Sequence, residues 1–205
     1  MTQNDAFELR VRNAIEASIA TKQSLLKNAE LVSTVARASE LLANALRRGN
    51  KVLLFGNGGS AADAQHIAAE LVGRFAFERS PLPALALSVN SSCVTAIGND
   101  YGFDQVFARQ LEALARPGDV AVGISTSGKS PNVALALDVA KKAAVHTVAM
   151  TGRTGGILRG SVEHCICVPS DETPRIQECH ILIGHIISEL VERELFHEKS
   201  RVSGS

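Results

Sequence analysis

The sequence predicts an α/β protein: a doubly wound, five-stranded parallel sheet of the Rossmann or flavodoxin type, flanked by helices. Five short apolar runs alternate with helical segments, the pattern of repeated strand–helix–strand units. The first run leads into a glycine-rich turn and then a helix. With 205 residues and 45% hydrophobic content, the chain can form one such domain with a substantial core. Ligands are then expected at the carboxyl ends of the strands.

Two amphipathic helices are predicted ahead of the first strand. Apolar residues recur at helical spacing between Asp5 and Arg48, with a break near 26–30 and a stop signal at Gly49. One sheet does not need so much preceding helix, so we expect a helical cap or an oligomer interface here. The single domain then divides into N-terminal helices at 1–48, an α/β core at 49–197 and a disordered tail at 198–205.

The elements of the core follow in alternating order. The predicted strands are 52–55, 84–87, 120–124, 147–150 and 165–168. The predicted helices start at Ser60 and then cover 90–97, 103–115, 131–144 and 174–196, with a break at 98–102 between the second and third. Pro131 suits the first position of its helix, because its missing N–H would be unpaired there in any case.

The charge balance argues against some classes of partner. Twenty-one basic and 21 acidic residues give no reason to expect nucleic-acid or membrane-surface binding. No apolar run approaches the length of a membrane span, and the first residues lack the features of a signal peptide. The sequence therefore predicts a cytoplasmic protein.

The four cysteines have neither a disulfide-framework spacing nor a CxxC spacing. Buried thiols are the simplest expectation for all four. Cys165 and Cys167 alternate with apolar residues, so both should face one side of the last strand.

The glycine-rich turn and its helix supply the first functional signal. Gly56, Gly58 and Gly59 allow positive φ and close approach of a ligand, and Ser60 is a good N-cap. The N-terminus of such a helix favours binding of an anion, and phosphate is the anion expected most. His66 and Glu70 follow at i and i+4, on one face, where they suit proton transfer or metal binding. Taken alone, two such residues are more often an ordinary pair on a helix surface than a functional site.

Two loops match nucleotide-binding motifs formally. Residues 56–61 fit the G-x-G-x-x-A dinucleotide fingerprint, but the next strand ends without the carboxylate that would hold a ribose. Residues 123–130 fit the P-loop pattern, but no predicted strand ends in the aspartate that a magnesium shell requires. The sequence therefore favours neither a dinucleotide-binding site nor a P-loop site for ATP hydrolysis.

The second loop carries an unusual number of hydroxyl groups, from Ser125, Thr126, Ser127 and Ser130. Four hydroxyls at a strand exit and helix start suit a phosphate monoester held by neutral donors. Together with Ser60 they predict a sugar-phosphate site. The alternative is that these residues only cap helices and turns.

Five motifs in one order resemble the phosphoheptose isomerase family of the sugar isomerase (SIS) fold, from about Leu9 to Phe196. They are residues 56–60, 65–70, 96–102, 123–128 and 173–178. The resemblance implies a cytoplasmic homotetramer that converts sedoheptulose 7-phosphate to D-glycero-D-manno-heptose 7-phosphate, the first step towards the heptose of lipopolysaccharide or other bacterial glycans. It also implies one zinc ion per subunit, at an active site on a subunit interface.

The resemblance assigns residues to roles. The implied metal ligands are His66, Glu70, Gln177 and His185. The implied catalytic residues are Glu70 as the base and His185 as the acid, with His180 a competitor for the ligand role that we expect to be structural. The implied substrate-binding residues are Asn57, Gly58, Gly59, Ser60, Glu70, Asn90, Ser125, Thr126, Ser127, Ser130 and Gln177.

One departure from the family pattern matters for the function. Asn90 stands where the family usually has an aspartate thought to contact the sugar. An amide can bond hydroxyls but cannot accept a proton, so this aspartate is dispensable or the substrate differs. The alternatives to an isomerase are a non-catalytic relative that binds the replication initiator DnaA and a sugar-phosphate-sensing SIS domain. The DnaA-binding relative lacks the glutamate and histidine that are present here as Glu70 and His185.

Overall fold

The computed structural model describes residues 3–196. All five predicted strands form in it, and each end lies within one residue of the predicted bound. They are β1 (Val52–Gly56), β2 (Ala84–Ala86), β3 (Val120–Ser125), β4 (His146–Thr151) and β5 (His164–Cys167). The strands are parallel and lie in the order β2-β1-β3-β4-β5. The chain winds outward from β1 in one direction and then from β3 in the other, so the carboxyl ends of β1 and β3 flank the switch point where ligands bind in such sheets.

The helices agree with the predictions in number, with two differences in their bounds. They are α1 (Gln3–Lys27), α2 (Ala29–Arg47), α3 (Gly59–Val72), α4 (Ser91–Tyr101), α5 (Ala108–Leu114), α6 (Pro131–Lys142) and α7 (Thr173–Phe196). The predicted break at 98–102 is too early, because α4 continues through Gly98 and ends only at Gly102, which has a φ of 89°. The predicted helix 103–115 is a 3-10 turn, Phe103–Gln105, followed by the short α5.

Helices cover both faces of the sheet. One core cluster joins α2, α3 and α7 to one face, with Leu42, Ile67 and Ile183 among its members. The other joins the α5 and α6 side to the opposite face, where the Phe55 and Phe107 ring centroids lie 5.4 Å apart. Strands buried on both faces have no polar side to present, which is why β1 and β3 read as continuous apolar runs.

The first helix is the least buried element. α1 ends at Asn28, which caps α2 by accepting a hydrogen bond from the Leu31 N–H, so the predicted break is confirmed. Within α1 only Leu25 is buried. Its apolar stripe faces solvent in this single chain, with side chains that are half exposed or more: Phe7 (59%), Val11 (58%), Ile15 (55%) and Ile19 (50%).

No helix within residues 3–196 combines the length and the apolar character needed to cross a membrane. His197 and the tail predicted at 198–205 lie outside the described residues.

Candidate active site at the switch point

The glycine-rich turn places the start of α3 directly against the end of β3. Gly58 occupies the N-cap position with a φ of 55°, and Gly59 is the first helical residue. The prediction that Ser60 is the N-cap is therefore wrong; Ser60 lies one position further inside the helix, buried. A Cβ on Gly56 would lie 2.7 Å from the Ile124 carbonyl oxygen and 2.8 Å from Ser60 Cβ. Only glycine allows this approach, which brings Ser60 next to the carboxyl end of β3.

His66, Glu70 and His185 form a cluster of possible metal ligands. His66 Nε2 lies 2.9 Å from His185 Nε2 and 3.2 Å from Glu70 Oε1. One ligand atom from each of the three lies within 4.8 Å of the other two. Two come from α3 and one from α7, so the sequence-based expectation that these helices converge is met for the three. His66 is exposed and the other two are half-buried, which leaves the cluster open to solvent on one side.

Close packing of α3 on α7 produces this convergence. A Cβ on Gly184 would lie 2.5 Å from Ile67 Cδ1, and a Cβ on Gly59 would lie 2.2 Å from Gln177 Nε2. Gly59 meets Gln177 and Ile67 meets Gly184, so the two helices run side by side in the same direction. Gln177, the fourth ligand implied by the resemblance, lies with its amide against the glycine turn, at the amino-terminal end of this helix pair.

The hydroxyl-rich loop lies across the switch point from α3. Ser125 ends β3 and its Oγ lies 2.8 Å from Ser130 Oγ, at the residue just before α6. Ser127 Oγ accepts a hydrogen bond from the Lys129 N–H. Gly128, with a φ of 63°, packs against the backbone of Gly155. The hydroxyls are thus grouped between the end of β3 and the first, unpaired N–H groups of α6.

The two loops are tied together by an amide pair that sequence reasoning missed. Asn57 and Asn132 each donate from Nδ2 to the other's Oδ1, both at 2.9 Å. Asn132 is buried at the start of α6. The Asn57 side chain is therefore used to fix the glycine turn to α6. No local motif signals this contact, because its partners are 75 residues apart.

Comparison with known proteins identifies the fold and its relatives. The SIS domain family model matches residues 17–152. The chain is 51% identical to the phosphoheptose isomerase of Sulfurimonas denitrificans, over 91% of this chain and 95% of that protein. The chain belongs to the phosphoheptose isomerase family of SIS-domain proteins. The structure of phosphoheptose isomerase GmhA from Neisseria gonorrhoeae matches with a TM-score of 0.86 and 44% identity, covering 91% of this chain and 98% of that one. A phosphoheptose isomerase structure from Francisella tularensis matches with a TM-score of 0.83 and 37% sequence identity. The match covers 94% of this chain and 100% of that one.

Asn90, where this chain departs from the expected phosphoheptose isomerase pattern, caps a helix. Its Oδ1 accepts a hydrogen bond from the Cys93 N–H at 3.0 Å, at the start of α4. The same side chain lines an apolar groove of 630 Å³ beside β2, between α4 and α5. The preceding loop is tied to α3 because Gln65 Nε2 donates to Ser88 Oγ at 3.3 Å. Asparagine and aspartate cap equally well, so the substitution leaves the local fold intact.

A phenylalanine and an aspartate lie beside the three-residue cluster, and the sequence predicted neither of them at the site. The Phe75 ring centroid lies 5.7 Å from that of His185 and so covers one side of the imidazole. Asp63 lies three residues before His66, and burial raises its pKa to about 6, although the positive charge of His66 opposes the shift. Asp63 was recognisable as an i−3 neighbour of His66, whereas the approach of Phe75 depends on how its loop folds back.

The remaining histidines in the described part of the chain lie elsewhere. His180 is fully buried on α7 and its Nε2 lies 3.2 Å from the Thr151 carbonyl oxygen. Burial lowers its pKa to about 4, despite that hydrogen bond, so it is neutral and structural, as expected. His146 pairs with Glu163 at 2.9 Å, and His164 begins β5.

Proposed function

We propose that the protein is an aldose–ketose isomerase that converts sedoheptulose 7-phosphate to D-glycero-D-manno-heptose 7-phosphate. The main support is the cluster of His66, Glu70 and His185 beside a hydroxyl-rich loop, in a chain about half identical to curated phosphoheptose isomerases over nearly its full length. A carboxylate and an imidazole within one small cluster are what a proton transfer between adjacent carbons requires.

The chemistry assigned to the side chains is a two-step proton transfer. Glu70, when it is not bound to a metal ion, removes a proton from C1 of the ketose, and His185 protonates the C2 carbonyl oxygen from Nδ1, the ring nitrogen outside the cluster; the product is an enediol. Return of a proton to C2 and loss of the C1 hydroxyl proton give the aldose. Phe75 restricts the orientation of the His185 ring, and the open side of the cluster admits the sugar.

The donor set fits zinc. Two imidazole nitrogens, one carboxylate oxygen and an open side are the composition of a catalytic zinc site. In a tetrahedral site with Zn–N bonds of about 2.05 Å, two nitrogens lie roughly 3.3 Å apart. The 2.9 Å separation of the His66 and His185 nitrogens is therefore only slightly too short. Zinc, when bound, would polarise the substrate carbonyl. Gln177, from the same chain or from a neighbouring subunit, is the proposed fourth ligand.

The proposed phosphate site combines the two loops at the switch point. Ser60, Ser125, Thr126, Ser127 and Ser130 would supply hydroxyl donors, and the N-termini of α3 and α6 would supply N–H groups. Asn57, Gly58 and Gly59 would form the floor against the sugar, and Asn90 would reach a sugar hydroxyl.

We also propose that the protein is a cytoplasmic homotetramer in which α1 forms part of the subunit contacts. The exposed stripe of α1 supports this, because four large apolar side chains in one row are unusual on a free surface.

The deciding experiment is turnover of sedoheptulose 7-phosphate by the purified chain, followed by product analysis. The assay is run as purified, after chelation, and after stoichiometric zinc is restored. We expect turnover that chelation removes and zinc restores. Binding of the sugar phosphate without turnover under every condition would favour the sensing alternative, and the absence of both would favour the DnaA-binding one.

A further inference from the structure

Cys165 and Cys167 form a pair of thiols on one face of β5, far along the sheet from β1. Their Sγ atoms are 3.6 Å apart. Both side chains are partly exposed and line a pocket of 310 Å³ that also contains Arg153 and Arg159. The expectation that all four cysteines are buried is therefore wrong for this pair; of the four, only Cys179 is buried.

The surroundings of the pair differ for its two sulfurs. Thr151 lies opposite Cys167 in the β4–β5 register, and its hydroxyl donates to Cys167 Sγ at 3.4 Å. A hydrogen bond from Cys165 is the main cause that lowers the pKa of Cys167 to about 6; Thr151 and Arg159 also lower it, whereas burial and the nearby Glu30 carboxylate raise it. The same contact raises the pKa of Cys165. The contact therefore favours a thiolate at Cys167, which accepts the Cys165 S–H, over a thiolate at Cys165.

We propose that this pair is a reversible oxidation site for hydrogen peroxide, with Cys167 the attacking and Cys165 the resolving thiol. The Cys167 thiolate forms a bond to one peroxide oxygen, the O–O bond breaks, and hydroxide leaves and takes up a proton, which gives a sulfenic acid. The Cys165 sulfur then loses its proton and attacks Cys167 Sγ. The S–O bond breaks, water leaves, and the product is a disulfide. Peroxide is reduced and the two thiols are oxidised by two electrons.

The strand geometry makes this disulfide easy to reverse. Residues i and i+2 of a parallel strand have Cα atoms roughly 6.6 Å apart, near the upper limit for a disulfide. Closing the bond therefore requires β5 to contract. β5 can contract at moderate cost because, within residues 3–196, it pairs with β4 alone and lies at the edge of the sheet. A strained disulfide is readily reduced by thiols.

The remaining cysteines provide internal controls. Cys93 lies on α4 and lines the groove beside β2, away from this pair. Cys179 is buried on α7, and burial raises its pKa. Neither has a second thiol beside it among the contacts described, and burial outweighs the effect of Lys22 and Arg175 on the pKa of Cys179, so both should react slowly.

The test treats the reduced, metal-free full chain with a few equivalents of hydrogen peroxide. Intact mass and peptide mapping then follow the products. We expect the loss of two hydrogens, a Cys165–Cys167 disulfide, and full reversal by dithiothreitol. Cys165→Ser should leave a sulfenic acid at Cys167 that dimedone traps, Cys167→Ser should slow oxidation about tenfold or more, and Cys93→Ser should behave as the wild type.

Three outcomes would overturn the proposal. They are a wild-type sulfenic acid that persists without forming the disulfide, oxidation at Cys93 as fast as at Cys167, and a disulfide that links either sulfur to another cysteine or another chain. Circular dichroism of the serine variants verifies that each is folded before its rates are compared.

Discussion

At the scale of single residues, Glu70 and His185 have the most direct roles in the proposed mechanism. We expect Glu70→Gln and His185→Ala each to lower kcat by about 10²–10⁴-fold, since each removes a proton carrier. The measurement is turnover of sedoheptulose 7-phosphate with zinc present, together with the molar mass of each variant. Glu78→Gln and His146→Ala are matched controls, because both side chains make polar contacts outside the cluster. Wild-type turnover in either test variant would remove that residue from the mechanism.

Substitutions of Asn90 can separate its role as a helix cap from its proposed role in substrate binding. Asn90→Asp should leave activity unchanged or raise it, because aspartate retains the cap on α4 and adds a favourable charge at the helix start. Asn90→Ala should cost about 1 kcal/mol of stability through loss of the cap. Activity assays and urea unfolding distinguish the two effects. A collapse of activity in Asn90→Asp, with normal stability, would show that the amide itself contacts the substrate.

Asp63 should make stability depend on pH. Burial raises its pKa from 3.8 to about 6, so between these values the folded state binds more protons than the unfolded state. Stability from this group is therefore lost as pH rises from about 4 to 6, and the full penalty applies above pH 6. We therefore compare the free energies of unfolding of Asp63→Asn and the wild type at pH 4 and at pH 7.5. The variant's stability relative to the wild type should be about 1 kcal/mol higher at pH 7.5 than at pH 4, after allowance for partial solvent screening. Urea unfolding of chelated protein at both pH values measures this. If the difference in stability between Asp63→Asn and the wild type is the same at both pH values, burial of Asp63 does not make stability depend on pH.

At the scale of elements, the loop between α3 and β2 is held by a buried ion pair. The side chains of Arg79 and Glu192 are 1% and 0% exposed, and Arg79 Nε lies 3.0 Å from Glu192 Oε1. Glu192 also accepts the Phe75 and Ala76 N–H groups at 2.9 and 2.7 Å. The guanidinium donates to several main-chain carbonyls, those of Glu70, Leu71, Gly73 and Ser80. The pair thus joins the end of α3, the Phe75 loop and α7.

Breaking this pair should be costly. Arg79→Met leaves Glu192 buried without its cation, so we expect a loss of about 3–5 kcal/mol in the free energy of unfolding. Arg74→Met is the matched control, because Arg74 forms an exposed ion pair with Glu78 at 3.7 Å. This variant should lose less than about 0.5 kcal/mol in the free energy of unfolding. Urea denaturation compares the two. Equal stabilities would mean that the buried pair does not anchor the loop.

Elements were predictable from sequence where the signal is local. The strand positions follow from short apolar runs, and the His66–Glu70 pair follows from helical spacing. Contacts between distant segments were not predictable: the Asn57–Asn132 amide pair and the Arg79–Glu192 pair join residues 75 and 113 apart. Gly98 was read as a helix break, yet α4 continues past it, because one glycine costs only about 1 kcal/mol in a helix.

At the scale of the whole molecule, the strand order explains why the candidate site is where it is. Alternating strands and helices predict a parallel sheet, but they do not predict which strands are neighbours. In the structure β1 and β3 are adjacent, so the glycine turn after β1 and the hydroxyl loop after β3 come together. α7 returns across the same face as α3 and brings His185 to His66. Separate sequence motifs therefore become one site only through the topology.

Assembly is the last property to test, and it depends on α1. Ile15 is 55% exposed in the middle of the apolar stripe, so Ile15→Glu would place a charge inside the proposed subunit contact. We expect this variant to lose the wild-type oligomer and, because the proposed active site lies at an interface, most of its activity. The control is Asn13→Glu, which adds the same charge on another face of α1, where Asn13 is exposed. Light scattering after size-exclusion chromatography gives the mass of each, and circular dichroism verifies folding. If Ile15→Glu keeps the wild-type mass, the stripe is not the contact, and subunits assemble through another surface.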